Sequence, residues 1–201
     1  MLPRLVCIAV AVAVLALAAC GGSSSETLAR VGDQKVTAEQ VNTLVDEVIS
    51  ELRQEGKTVP AQGSKGEKTL ERQALAILVG RARLEQRAAD LGVAVSDDEV
   101  LKRVGAASTA QAEQEGNADF VASQARAQLL YEKLFTRVTA GVKVSAGDVR
   151  RYYEQHRALY GSQTYAALRE GIRNQLLGER RNAAMKQWLA QVTRELPVRS
   201  A

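Results

Sequence analysis

The chain has 201 residues, with 27 Lys or Arg against 23 Asp or Glu, so its net charge is +4. Charges of both signs are mixed without a basic block, and aromatic residues make up only 4%, which argues against a nucleic-acid-binding protein. Of the two cysteines, Cys7 falls in a leader segment and leaves Cys20 unpaired, so no intrachain disulfide is expected.

The first 19 residues are an apolar leader. Arg4 precedes an uninterrupted apolar run over residues 5–19, which is short for a transmembrane helix and fits the core of a signal peptide. The run ends in Leu-Ala-Ala-Cys at residues 17–20, which resembles the lipobox of bacterial lipoproteins. That resemblance implies cleavage after residue 19 and attachment of a diacylglyceryl group to Cys20. The alternative is a plain signal peptide or anchor with an incidental cysteine.

Residues 20–27 are expected to be a flexible tether, because residues 21–25 are all Gly or Ser. Two acyl chains on one residue are enough for stable membrane anchoring. The sequence therefore predicts a protein of the bacterial cell envelope, lipid-anchored on the extracytoplasmic side, with a folded domain over residues 28–198.

The folded part begins with a predicted β-hairpin over residues 28–37, which turns at Gly32-Asp33. A helix follows, with Thr37 and Gln40 in a capping-box pattern. Its apolar residues recur at spacings of three and four, which indicates one buried face: Val41, Leu44, Val45, Val48, Ile49 and Leu52.

Two polar stretches and two helices come next. Residues 55–69 are rich in Gly, Lys and small polar residues and are predicted to be an exposed loop. A second apolar stripe then indicates a helix ending at Gly92: Leu70, Ala74, Ile77, Leu84, Ala88 and Leu91. Residues 105–117 are read as a loop with at most a short helix, and residues 118–140 as a further amphipathic helix.

The C-terminal part is predicted to be two helices joined by Gly161-Ser162-Gln163. The second helix, over residues 164–195, is long enough for several earlier segments to pack along it, and Pro197 ends it before a short strand. Gly171 and Gly178 lie seven residues apart and so nearly on one helix face. We expect another segment, the N-terminal helix or hairpin, to pack closely against that face.

Three helix starts share one form, Val-Ser/Thr-x-x-Gln/Glu/Asp-Val, at residues 36–41, 95–100 and 144–149. Each combines an extended valine, a hydroxyl cap and a polar or acidic group in the first turn. Helix starts look alike in many proteins, so the order of these segments is more informative than any one of them.

In that order, the segments resemble the N-terminal module of the SurA/PrsA family of extracytoplasmic chaperones and foldases. The resemblance covers residues 28–198 and depends on the succession of V-G-D-x-x-V-T, L-G-V-x-V-S-D-D-E-V, Q-L-L-Y-E-K-L and V-S-A-G-D-V-R-R-Y-Y-E-Q-H. It implies a mostly α-helical chaperone core. A small β element would pair the first and last strands, and a long C-terminal helix would return to the N-terminal part.

The sequence departs from this family where catalysis is concerned. Relatives commonly carry a parvulin-type prolyl isomerase domain after the Tyr-Tyr helix, at the place of residues 160–164 here. Three residues occupy that place, and His156 is the only histidine, whereas parvulin sites use paired histidines. The isomerase domain is therefore expected to be absent, and the protein is not expected to be an enzyme.

Few residues suggest a chemical site. No cofactor and no metal are expected, since the acidic group at residues 97–99 is explained by the favourable placement of acids in a first helical turn. Cys20 is the expected lipidation site. Tyr152 and Tyr153 are candidate contacts for client peptides, although adjacent helical residues face different ways, so that one should be core and the other surface.

The expected function is that of a membrane-anchored, ATP-independent chaperone that holds unfolded or emerging exported polypeptides. One alternative is an accessory or scaffold lipoprotein dedicated to a single secretion or envelope-assembly complex. A second alternative is prolyl isomerisation by an unrecognised site.

Overall fold

The computed structural model of the protein describes residues 26–200. The predicted signal peptide and the predicted lipidation site at Cys20 lie outside these residues, as does most of the predicted tether. The described part consists of β1 Thr27–Val31, β2 Gln34–Thr37, α1 Ala38–Gln54, α2 Lys65–Asp90, α3 Asp97–Val104, α4 Ala106–Glu115, α5 Ala118–Thr139, α6 Ala146–Gln155, a 3-10 helix Arg157–Leu159, α7 Tyr165–Glu195 and β3 Val198–Ser200.

The three strands form an antiparallel sheet with β1 in the centre, between β2 and β3. The predicted pairing of the first and last strands is thus confirmed.

The hairpin turns at Gly32, whose φ is +55°, in the left-handed region that favours glycine. A Cβ at this position would clash with the end of the Gln86 side chain, which donates to the carbonyl of Val31. Glycine therefore allows both the turn and this hydrogen bond between α2 and the hairpin.

The three repeated helix starts behave as predicted. Thr37, Ser96 and Ser145 are the N-caps of α1, α3 and α6, and each is the first member of a complete capping box. In each box the side-chain oxygen accepts from the backbone N–H of the third helical residue, whose own side chain accepts from the cap backbone.

Buried apolar residues form three clusters. The sheet core joins β1, β2, α1 and the part of α2 up to Ala82. Its buried members are Ala29, Val31, Val36, Val41, Leu44, Val45, Ile49, Ala74, Val79 and Ala82. The middle core joins α2, α5 and α7 through Ala88, Leu130, Leu134 and Met185. The tip core joins α6 and α7 through Val149, Tyr153 and Ile172.

Helix α7 connects all three cores, as expected of a long helix along which earlier segments pack. Its 31 residues span about 47 Å at about 1.5 Å per residue. Ile172 packs in the tip core, Met185 in the middle core, and Leu196, just after the helix, against the sheet core. Trp188 packs half-buried against the middle core.

Residues 106–115, within the stretch predicted to be a loop with a short helix, form helix α4. Three expectations about individual segments are wrong. The loop predicted over residues 55–69 ends at residue 64, before α2 begins at Lys65. No atom of another segment within residues 26–200 lies within 4 Å of a Cβ built on Gly171 or Gly178, so none of the described segments packs against that face. Ile77, predicted to be on the buried stripe of α2, is 53% exposed.

Candidate functional site

The two tyrosines singled out in the sequence lie on different faces of α6. Tyr153 is 7% exposed and packs between the rings of Tyr160 and Tyr165, with a centroid separation of 5.6 Å to each. Its hydroxyl donates to the carbonyl of Gln163 at 2.9 Å. Tyr152 is only half-buried. One ring is therefore part of the core and the other reaches the surface, as adjacent positions on a helix require.

Tyr152 belongs to a surface patch at the end of α6. Its ring stacks on the His156 ring at a centroid distance of 4.1 Å, and its hydroxyl accepts from the Gln175 amide at 3.0 Å. Burial and the neighbouring Tyr152 hydroxyl raise the pKa of Tyr160. Leu159, in the 3-10 helix that leads to α7, is 78% exposed. We call the patch formed by Tyr152, Leu159 and Tyr160 the aromatic tip.

A more apolar recess runs between α2 and α5. A cleft of about 300 Å³ is lined by Ile77, Gly80, Arg81, Leu84, Gln124, Ala127 and Leu130. Most of this lining is aliphatic or small, and a Cβ built on Gly80 would meet no described atom within 4 Å, so the space beside Gly80 is open. The exposed Ile77 contributes one wall, so the cleft offers apolar surface to the solvent. We call it the α2–α5 cleft.

A second cleft, of about 450 Å³, shares Arg81, Ala127 and Leu130 with the first. Its further lining comes from the segment that connects α2 to α3, including Val93 and Val95. This segment is fixed to α5 by polar contacts. Arg126 donates to the Val95 carbonyl at 3.1 Å, and Lys133 donates to the Ala94 carbonyl at 2.6 Å.

The contact between α3 and α5 is also ionic. Lys133 pairs with Glu99 at 2.6 Å, and Arg103 pairs with Glu132 at 2.6 Å. The hydrogen bond from Lys133, together with that from the Ser96 backbone, lowers the pKa of Glu99 to about 2. These side chains are partly exposed, so the pairs contribute orientation more than stability. They fix α3, which follows the wall of the second cleft in sequence, against α5.

A third cleft, of about 490 Å³, has a different chemistry. Its floor is apolar, formed by Leu44, Leu78 and Phe120, and it is bordered by three carboxylates. These are Glu39, Glu47 and Asp119, none of which forms an ion pair with any residue in the range 26–200. The cleft thus combines apolar contact with negative charge.

The three clefts are open to the solvent. Within residues 26–200, no group of three or more carboxylate, histidine or cysteine side chains could hold a metal ion. His156 Nδ1 lies 2.8 Å from the Tyr152 carbonyl, and its ring is covered on one face by Tyr152. In the same range, no helix is long and apolar enough to cross a membrane.

Sequence patterns indicated the tyrosines but not the clefts. Ile77 fits the helical period of α2 as well as the buried Ala74 does, and the positions of α1, α5 and the sheet decide which of them is covered. The available signal is the small residues Gly80 and Ala127 of the cleft lining, and small residues are common in closely packed helices as well. Client binding by Tyr152 and Tyr153 stays a prediction.

Comparison with known families agrees with this architecture. A comparison with curated proteins found no significant match. The family model described as "SurA-like N-terminal domain" matches residues 3–136, which is more than half of the 201 residues. The match extends from the predicted leader through β1, β2 and α1–α4 into the last turns of α5. The fold, with its paired terminal strands and long C-terminal helix, is the one the resemblance implied. The chain belongs to the family of proteins with a SurA-like N-terminal domain.

Proposed function

We propose that this protein is an ATP-independent chaperone that holds unfolded exported polypeptides, and that it is anchored to the membrane through a lipid on Cys20. Membership of a SurA-like family supports a chaperone-type role. The observation that carries the proposal is the α2–α5 cleft, where Ile77 remains 53% exposed at the border of an aliphatic recess. Exposed apolar surface in a recess is a common mark of a protein-binding site.

The shape of the cleft fits weak and broad binding. The cleft is open and its polar lining is limited to Arg81 and Gln124, so few hydrogen bonds would select one sequence over another. An unfolded client offers single apolar side chains in many contexts, and shallow apolar contact accepts most of them. Such binding needs no nucleotide, because release follows from the low affinity of each contact.

A substitution in the cleft tests this proposal directly. The chain from residue 21 should suppress aggregation of several unrelated chemically unfolded clients at near-stoichiometric ratio without ATP. Ile77→Glu should weaken this protection severalfold, since it places a charge on the apolar wall. Leu101→Glu is the matched control, because Leu101 of α3 is equally exposed, at 54%, but lines none of the three clefts. Equal protection by the Ile77→Glu variant would exclude the cleft as the binding surface.

The proposed activity involves no catalysis of prolyl isomerisation. The connection between α6 and α7 consists of a 3-10 helix and a short turn, in the place where relatives commonly carry a parvulin domain. The protein should therefore leave the slow isomerisation of an X-Pro peptide, which takes tens of seconds or more, unaccelerated at substoichiometric concentration. Acceleration there would overturn the non-enzymatic assignment.

The membrane anchor has its own test. Cys20→Ser should abolish labelling with palmitate and leave the precursor unprocessed by the lipoprotein route. Palmitate labelling of the Cys20→Ser protein would show that the lipid is attached elsewhere or that the leader is of another kind.

The aromatic tip favours a second candidate function, that of a scaffold for one dedicated partner. Leu159 and Tyr152 form a small exposed patch at the far end of α7, with Tyr153 supporting it from the core. A compact patch of this kind suits a single partner, with Tyr152 and Leu159 as its contacts. A crosslinked pull-down decides between the two functions. Many unrelated exported proteins indicate a chaperone, whereas one stoichiometric partner that is lost in the Leu159→Glu variant indicates a scaffold.

A further inference from the structure

A row of three basic side chains crosses the outer face of the sheet. Arg30 of the central strand lies directly opposite Lys35 of β2 on one side and Arg199 of β3 on the other. Residues in such pairs point to the same face with their Cβ atoms about 5 Å apart. Because Ala29 and Val31 are buried in the sheet core, the intervening Arg30 and its two neighbours face outward, and all three are exposed.

This row lacks compensating charges. None of the three side chains forms an ion pair with any described residue, including the nearest acids in sequence, Glu26 and Asp33. Like charges directly opposite each other on neighbouring strands destabilise a sheet. This repulsion opposes folding of the small sheet. An anionic partner that lies against the exposed face of the sheet explains the arrangement, because it would neutralise the three charges.

The position of the sheet in the chain indicates which anionic surface this is. Strand β1 begins at Thr27, seven residues after Cys20 in the sequence. Seven residues span at most about 25 Å when fully extended. Once Cys20 is lipidated, the sheet is therefore held within that distance of the headgroups, and the other end of the molecule is not.

We propose that the row of Arg30, Lys35 and Arg199 docks on anionic phospholipid headgroups and so orients the protein on the membrane. This proposal rests on the proposed anchor at Cys20. Each basic residue close to an anionic bilayer strengthens attachment about fivefold, so three residues are enough to favour one orientation of a tethered protein. The other end of α7, with the aromatic tip, lies about 47 Å along the helix from the sheet. Docking of the sheet thus decides which end faces the membrane.

Lysine acetylation provides the test. The full chain would be extracted from membranes and reconstituted into vesicles of phosphatidylcholine alone or of phosphatidylcholine with phosphatidylglycerol. Acetylation of each lysine by a water-soluble reagent is then followed by mass spectrometry. Lys35 should react at least about fivefold more slowly in the anionic vesicles, whereas the exposed Lys65 and Lys68 at the start of α2 should react equally in both. The protection should be lost in about 1 M salt, where the Debye length is only about 3 Å.

A pair of variants distinguishes docking from simple proximity. Arg30→Gln with Arg199→Gln should restore rapid acetylation of Lys35 in anionic vesicles, while Lys65→Gln with Lys68→Gln should leave Lys35 protected. The first variant should also unfold at the same or a higher temperature in neutral vesicles, because it removes repulsion between strands. A large fall in that temperature would assign the row a structural role and overturn the proposal.

Failure of the anchor and failure of the docking surface give different results. Absence of palmitate label and of membrane association would disprove the anchor. Normal association, with Lys35 acetylated at the same rate in both kinds of vesicle, would disprove docking and leave the anchor intact.

Discussion

The sheet end and the tip end of the molecule are built in different ways. The sheet core takes its buried residues from positions 29–82 and also packs against Leu196 near the end of the chain. The tip core uses residues from 144–176 only, with Val149, Tyr153 and Ile172 as its buried members. The first brings both ends of the described chain together, whereas the second joins two helices that follow each other in sequence.

This difference predicts different modes of unfolding. Separating the sheet core requires β1, β2, β3, α1 and α2 to come apart, so it should unfold only with the whole domain. The tip core can open by moving α6, whose main contacts are with α7, and local opening of this kind costs less than global unfolding. The family model also ends at residue 136, so its match includes residues of the sheet and middle cores but none of the tip.

The largest expected effect is that of Ile49→Ala in α1. Ile49 is 8% exposed in the sheet core, and truncation of a buried isoleucine costs about 2–5 kcal/mol. The free energy of unfolding measured with denaturant should fall by that amount. Amide exchange should accelerate in α1, α2 and the sheet, which exchange on global unfolding, but not in α6, which opens while the sheet core stays folded. Leu159→Ala, at a site 78% exposed, should change the free energy of unfolding by less than about 0.5 kcal/mol.

An isoleucine-to-alanine substitution in the tip core tests whether the two ends of the molecule unfold separately. Ile172→Ala removes a residue that is 4% exposed in the tip core and should cost about 2 kcal/mol or more locally. Amide protection should fall in α6 and the first turns of α7, and by the same free energy in α1 and α2, because global unfolding includes opening of the tip. The converse variant, Ile49→Ala, should leave the protection of α6 close to the wild-type value. Equal loss of protection in α1 and α6 in both variants would show that the chain unfolds as a single unit.

The contrast between the ends also explains what could be predicted from sequence. Local signals fixed the hairpin at Gly32, the caps at Thr37, Ser96 and Ser145, and the end of α7 before Pro197, because each of these depends on neighbouring residues. The pairing of β1 with β3 joins opposite ends of the chain, and only the family resemblance indicated it.

The errors concern partners that are distant in sequence. Ile77 and Ala74 share the apolar period of α2, yet one is 53% and the other 4% exposed, because α5 and the sheet cover only part of that stripe. Helix α4 has a mostly alanine and polar composition that leaves little pattern, and its one buried residue is Ala112. The clefts result from the spacing between helices, which no local pattern encodes.

The two open glycines of α7 give the next largest effect. A Cβ at Gly171 or Gly178 would meet nothing within 4 Å, so alanine at either position should raise helix stability by about 0.5–1 kcal/mol. Gly171 lies beside the tip core, and Gly171→Ala should therefore slow amide exchange in the first half of α7. Gly178→Ala should act nearer the middle core. A loss of stability in either variant would indicate a contact with that face in solution.

The smallest expected effect is the response of the tip core to acid, which is specific to that end of the molecule. Asp148 accepts hydrogen bonds from Arg180 on α7 and from the backbone N–H of Ser145. The bond from Arg180 first, and then those from Ser145, lower the pKa of Asp148 below its usual range. Since its pKa is lower in the folded protein, the carboxylate stabilises the fold above about pH 4, its unfolded value, and that contribution is lost as the pH falls further.

Acidification from pH 5 should therefore loosen α6 from α7 before it affects the sheet. Four of the five tyrosines lie within residues 152–165, so near-ultraviolet circular dichroism reports mainly on the tip. Asp148→Asn keeps an acceptor for the cap but removes the charge that Arg180 binds, and it should flatten the change in this signal between about pH 5 and pH 2. Glu99→Gln is the control, because Glu99 has a pKa lowered to about 2 but caps α3, away from the tyrosines. If Glu99→Gln flattens the tyrosine signal as much as Asp148→Asn does, acid acts on the whole domain and the tip has no separate response.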